Sequence, residues 1–207
     1  INAVADPLVS NQYDEVLGIL NGTTNYILSK MTDLGADYAE VLKDAQARGL
    51  AEADPTADVE GIDACRKTAI LADLSFGYFM DADAIPTQGI TRIATADLEL
   101  SHALGCTVKL LGHAIRTDNG CCVFVGPHLI PLDHLLASVS GVMNACVVRG
   151  SAVGEVMFYG PGAGKRPTAS AVAADIVDAA QHQAVRKDTD LGRPGGVLAP
   201  EAALVSR

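Results

Sequence analysis

Tryptophan is absent from this 207-residue chain, and four Phe and five Tyr are the whole of its Phe/Trp/Tyr content. That leaves no aromatic platform on which bases could stack, and no cluster of basic residues stands in for one. Positive charge is also scarce: fifteen Lys and Arg face twenty-five Asp and Glu, a formal charge of −10. This balance argues against non-specific affinity for nucleic acid or for an anionic membrane. No apolar run approaches the roughly 20 residues that a membrane span needs. No secretory signal is visible at the start, though a missing N-terminus would have removed one. It starts at Ile1 without an initiator Met, so it reads as a fragment, a processed chain or a trimmed record.

The cysteines (Cys65, Cys106, Cys121, Cys122 and Cys146) are odd in number and include no C-x-x-C pair. That usage suits a reducing, cytoplasmic compartment better than a disulfide scaffold or a zinc site. The histidines are scattered, with no H-E-x-x-H spacing, so metal chemistry is not indicated. What remains is a globular composition, 49% apolar with twenty glycines, and long enough for a real core.

Periodicity divides the chain. The apolar run Val16 to Leu20 predicts a strand, and Asn21-Gly22-Thr23-Thr24-Asn25 after it predicts a capped helix start, the helix ending near Gly35. A second helix opens at Asp37 and stops at Gly49. An acidic loop over 52–58 leads to a third helix, from about Val59 to Phe76. On that helix Ile62, Cys65, Ala69, Ala72 and Phe76 share one face, and Gly61, Ala64, Thr68 and Leu71 share another. Ile70 and Leu74 continue the strip that carries Asp63 and Lys67, so the whole helix is expected to be buried. After residue 90 the texture turns to β. Strands are expected over 108–115, 121–125, 139–148 and 153–158, with a hairpin at Asp118-Asn119-Gly120. A glycine-rich turn over 159–164 then introduces a helix from Pro167 to about Ala180. Residues 1–182 form one domain on this reading, and 183–207 a tail or linker. Helices first and clustered strands later indicate an α+β fold, a mixed β-sheet covered by helices.

Three stretches are candidates for chemistry. Asp63 and Lys67 are four apart on a helix, with Glu52 and Asp58 upstream. As an exposed acid-before-base pair they would add a few tenths of a kcal/mol. In an apolar setting the same groups would have to be paired, and a lysine beside carboxylates can donate a proton while the acids bind a cationic group. Tyr159 to Lys165 is glycine-rich, but Arg166 stands where a Walker A loop has Ser or Thr. Such a turn either aims backbone amides at a phosphate or lets a helix approach a strand. Asn21 to Asn25 reads by itself as an ordinary capped turn.

Taken together, GILNGTTNYIL (18–28), GLAEADPTADVEGIDACRK (49–67), HLIPLDHLLASVSGVMNACVVRG (128–150) and YGPGAGKRPTASAVAADIVD (159–178) resemble the homoserine dehydrogenase family over roughly residues 1–180. That resemblance implies NAD- or NADP-dependent interconversion of L-homoserine and L-aspartate 4-semialdehyde, in threonine, isoleucine and methionine biosynthesis. It implies Lys67 as the proton donor to the carbonyl, and Glu52 and Asp63 as holders of the substrate ammonium. Asp58 matches another acid of the site, orienting Lys67 or a water. Thr23 and Thr24 match the turn facing substrate and nicotinamide, and Gly49, Gly162 and Gly164 match positions close to the cofactor. Ile1 matches the last carbonyl ligand of a monovalent-cation site. A homodimer through sheet contacts is implied too. The family's dinucleotide-binding region, a second family lysine and a C-terminal regulatory domain have no counterpart in these residues. The 207 residues alone are therefore expected to fold and dimerise without useful activity. Asn2, Leu50 and Cys65 replace the family's usual Pro, Tyr and Ala. The rival readings are a non-catalytic ligand-binding or dimerisation module that kept the fold, and a nucleotide hydrolase using the glycine turn.

Overall fold

The computed structural model describes residue 8 and residues 10–118 and 120–181. The domain is α+β. Five strands, β1 (Tyr13–Ile19), β2 (Cys106–Thr117), β3 (Gly120–Pro131), β4 (Met143–Gly150) and β5 (Gly154–Pro161), form one sheet in the order β3-β2-β1-β4-β5. Every pairing among them is antiparallel, and among the described residues the one parallel contribution is a bridge from Thr87 to Val125 at the β3 side. The helices are α1 (Gly22–Leu34), α2 (Tyr38–Ala47), the single turn α3 (Thr56–Val59), α4 (Ile62–Phe76), α5 (Thr95–Ala103) and α6 (Lys165–Gln181).

Alternation along the strands explains the layering. Val16, Val108, Leu110, Ala114, Val123 and Val148 join Ile27, Met31, Val41, Ala64, Ala69, Ala72 and Leu98 of the helices in the main core. The intervening Ile19, Leu111, Ala145 and Val147 make a second cluster, closed by Leu136 and Val139. The central strand β1 joins β2 to β4: its Leu17 pairs with His113 on one side and Val147 on the other.

The expected strand, capped helix and second helix at the start are all present, and β2 and β3 form the expected hairpin in register from Thr117 and Gly120 onward. Five expectations need correcting. The stretch after residue 90 is not uniformly β: Thr95–Ala103 is a helix, whose start is held by the Asp97 carboxylate accepting from the Ala94 amide at 2.9 Å. Residues 139–142 are not strand, because Val139 leaves the short 3-10 turn Leu135–Ser138 and β4 begins only at Met143. The glycine turn is shorter than expected, since Tyr159, Gly160 and Pro161 still pair with β4. Helix α6 starts at Lys165, two residues before Pro167, in a first turn where a missing N–H costs nothing. Finally, the helix expected from Val59 is divided: Gly61, at φ 80°, separates α3 from α4 in a conformation that a side chain disfavours. The tail from 183 and Ile1 lie outside the described residues.

Helix α4 sits tightly on the sheet. Gly112 of β2 lies under Thr68, where any Cβ would collide with the Thr68 hydroxyl. Two of the helix's three faces are buried, through Ala64, Cys65, Thr68, Ala69, Ala72 and Phe76. The third is not, against expectation: Ile70 is 45% exposed and the Lys67 side chain 49%. The close seat on small residues turns that strip away from the sheet and into an open pocket.

Candidate functional site

The site forms where β1 gives way to α1. Asn21 has an extended backbone and caps α1, its Oδ1 accepting from the Thr24 amide at 2.9 Å and from the Thr24 hydroxyl at 3.1 Å. At its other end, Nδ2 donates to Asp58 Oδ1 at 2.7 Å and to Asp63 Oδ2 at 3.0 Å. Asp58 comes from α3 and Asp63 from the first turn of α4, where a carboxylate also suits the helix dipole. One turn on, Lys67 Nζ donates to the same Asp63 Oδ2 at 2.7 Å and to the Leu20 carbonyl at 3.1 Å. An ammonium has three protons, so one is left to face outward.

As a stability device this ion pair is minor. Its side chains are 49% and 33% exposed, and such i,i+4 pairs are worth about 0.3–0.5 kcal/mol. The extra partners from Leu20 and Asn21 orient the lysine and the acid far beyond what that small gain requires.

Lys67 opens onto a pocket of about 240 Å³ lined by Leu20, Ile70, Leu71, Asn144 and Gly162. Its walls are mainly apolar, and the strip of α4 that sequence periodicity assigned to the core is one of them. Asn144 Oδ1 is buried there without a hydrogen-bond partner, an arrangement that normally awaits a donor. A Cβ on Gly162 would stand 2.6 Å from Asn144 Cγ, so glycine is what allows the turn after β5 to close over this side chain.

The structure thus gathers Asp58, Asp63 and Lys67 directly, and Gly162 through the pocket. Thr23 is half-buried, and its hydroxyl donates to the Leu50 carbonyl at 2.8 Å, tying the start of α1 to the chain beyond Gly49. Gly49 itself holds φ 70° in the turn after α2. Thr24 is buried and spends its hydroxyl on Asn21, so it reaches the cluster only through that residue. Glu52 is exposed on the loop that follows, and its carboxylate has no partner among the described residues. Gly164, at φ 118°, stands immediately before α6. Two contributors escaped sequence reasoning. Asn21 lay in a recognised motif but read as a cap, and Asn144 lay in a predicted strand. With two gathered acids, Asp58 and Asp63, against one lysine, the cluster favours a cationic group.

A family model described as homoserine dehydrogenase matches residues 1–177. The homoserine dehydrogenase of Mycobacterium tuberculosis is 52% identical over 188 residues, covering 88% of this chain and 43% of that protein. That of Pseudomonas aeruginosa is 46% identical over 202 residues, covering 98% of this chain and 46% of that protein. The crystal structure of a homoserine dehydrogenase from Thiobacillus denitrificans superposes with a TM-score of 0.90 at 44% identity, covering 96% of this chain and 48% of that one. A hyperthermophilic archaeal homoserine dehydrogenase mutant in complex with NADPH gives a TM-score of 0.73 at 30% identity, covering 87% of this chain and 51% of that one. The chain spans about half the length of the curated relatives it matches.

Proposed function

The chain belongs to the homoserine dehydrogenase family, and we propose that it supplies the substrate site for the pyridine-nucleotide-dependent interconversion of L-homoserine and L-aspartate 4-semialdehyde. The observation that carries this reading is Lys67, anchored by Asp63 and Leu20, with its remaining proton toward a mainly apolar pocket.

The pocket suits the nicotinamide end of a cofactor: Leu20, Ile70 and Leu71 offer an apolar wall, and Asn144 Oδ1 offers an unused acceptor. When bound, a nicotinamide supplies or removes the hydride at the reacting carbon. Lys67 gives its outward proton to the carbonyl oxygen in the reductive direction and takes it back in the oxidative one. Asp63 keeps the lysine aimed. Glu52, from its exposed loop, and Asp63, beside Lys67, hold the substrate ammonium on this reading. Asp58 acts with them through Asn21, and Thr23 fixes the loop through Leu50. Gly49, Gly162 and Gly164 let backbone approach the cofactor closely. Ile1 as a cation ligand is carried by the resemblance alone. The nucleotide is NAD or NADP, and NADPH accompanies one structural relative.

Three further assignments go with this reading. A biosynthetic place in the threonine, isoleucine and methionine route follows from the reaction. Five free thiols suit a reducing, cytoplasmic compartment. Exposed Leu129, Leu132 and Leu135 near β3, and Phe158 and Tyr159 on the edge strand β5, are apolar surface that a second copy would cover in a homodimer. The decisive experiment is homoserine-dependent reduction of NAD and of NADP by the complete enzyme, compared with its Lys67→Ala variant. A wild-type enzyme inert toward both nucleotides would leave the chain a non-catalytic module with an inherited fold.

A further inference from the structure

We infer that Asn21 is a positioning residue of the Lys67 site: its side-chain amide holds Asp58 and Asp63 together and, through Asp63, aims Lys67. The inference deepens the reading of this site and rests on it.

An asparagine side chain has two N–H donors and room for two acceptances at its oxygen. All four are in use at Asn21, which is 6% exposed. The orientation is forced, because the Thr24 backbone amide can only donate and so takes the oxygen end. The two N–H groups therefore point at the carboxylates. Asp58 and Asp63 flank Gly61 on separate helices, and two like charges converging there need a donor between them. The neutral amide provides one proton to each. Leu20, the preceding residue, accepts from Lys67 through its carbonyl. Two successive residues at the end of β1 thus fix both acids and the lysine.

Capping alone does not require asparagine. Ser and Asp cap helix starts about as well, yet neither carries the paired donors. That difference separates the two roles experimentally. In the complete enzyme, Asn21→Ser keeps the cap and removes the amide, Asn21→Asp keeps the cap and adds a third carboxylate, and Asn21→Ala removes everything. Each is measured for melting temperature, for kcat and KM with homoserine, and for the pH dependence of kcat/KM, beside Lys67→Ala.

A positioning role predicts that Asn21→Ser melts close to wild type while kcat falls about tenfold to a hundredfold. It also predicts that Asn21→Asp moves the acid limb of the pH profile upward, since a carboxylate beside Asp58 and Asp63 favours protonation of the group. Wild-type kcat and pH profile in Asn21→Ser would overturn the inference and leave Asn21 a helix cap. An Asn21→Ser variant as unstable as Asn21→Ala would also overturn it, since the carboxylate bonds would then serve the fold. Substantial turnover by Lys67→Ala would instead sink the reading of the site itself.

Discussion

Replacing Gly112 with alanine tests whether the seat of α4 on the sheet sets the position of Lys67. The new methyl would collide with the Thr68 hydroxyl and stand 3.0 Å from Thr68 Cβ and 3.2 Å from Leu20 Cδ1. Thr68 is 2% exposed and its hydroxyl donates to the Ala64 carbonyl at 2.7 Å, so it cannot swing aside without losing that bond. The strain must then move the helix or the strand, and overpacking of this kind costs about 1–3 kcal/mol. In a domain of this size each kcal/mol lowers the melting temperature by about 2–4 °C, so a fall of about 2–12 °C is expected by calorimetry. Thr68 follows Lys67 in the chain, so a displaced helix carries the lysine with it. A misplacement of about 1 Å costs on the order of a hundredfold in rate, and kcat should fall along with stability. Adding Thr68→Ala removes the obstructing hydroxyl and should restore much of both losses. An unchanged melting temperature in Gly112→Ala, or a double variant whose losses merely add, would refute the packing argument.

Further outcomes follow from the site and from the buried titratable groups. Lys67→Ala should lower kcat by about 10²–10⁴-fold with the melting temperature nearly unchanged; retention of more than about half of kcat would return the lysine to the role of a surface ion pair. Glu52→Gln and Asp63→Asn should each raise KM for homoserine by the equivalent of about 1.5–3 kcal/mol, and an unchanged KM in both would contradict ammonium binding. Burial pushes the thiols of Cys121 and Cys146 up to about 11. In the unfolded chain these thiols ionise earlier, so between their ordinary value and about 11 the folded state holds more protons, and stability falls as pH rises. Lys109 opposes this, because burial lowers its pKa and its desolvation cost is relieved on the alkaline side. Urea denaturation in alkaline steps should show a weaker decline in a Cys121→Ala/Cys146→Ala variant than in wild type; identical slopes would mean that the thiols are not titrating differently on folding.

Much of the fold could be read from local signals. The strand ending at Ile19, the Asn21 cap and the Gly35 stop are written in adjacent residues, and the hairpin at Asp118 to Gly120 has its own turn chemistry. Helix α5 was harder to see, because only Leu98 and Ser101 are buried in its nine residues and no strong stripe results. The start of β4 depends on contacts from elsewhere. Val139 is held outside the strand by Lys109, whose Nζ donates to its carbonyl at 2.6 Å, and by the Asn25 amide at 3.3 Å. Neither partner is near in sequence, so a Val-rich run looked continuous.

The site shows the same division more sharply. Asp63 and Lys67 share a helix face because of their spacing, and any reading of periodicity finds them. Periodicity also counts Ile70 as core, since it cannot distinguish an apolar side chain that meets the sheet from one that walls a pocket. The sheet decides: Gly112 lets α4 settle on Thr68 and the small residues beside it, and the Lys67 strip is rotated outward as a consequence. Asn21 was hidden for a different reason. Its cap to Thr24 spans three residues and is visible in the motif, while its bonds to Asp58 and Asp63 span 37 and 42. One oxygen satisfies the local rule, and the nitrogen beside it is then free to act at long range. A side chain whose presence is fully explained by capping can therefore also bridge two distant carboxylates, which only the three-dimensional arrangement reveals.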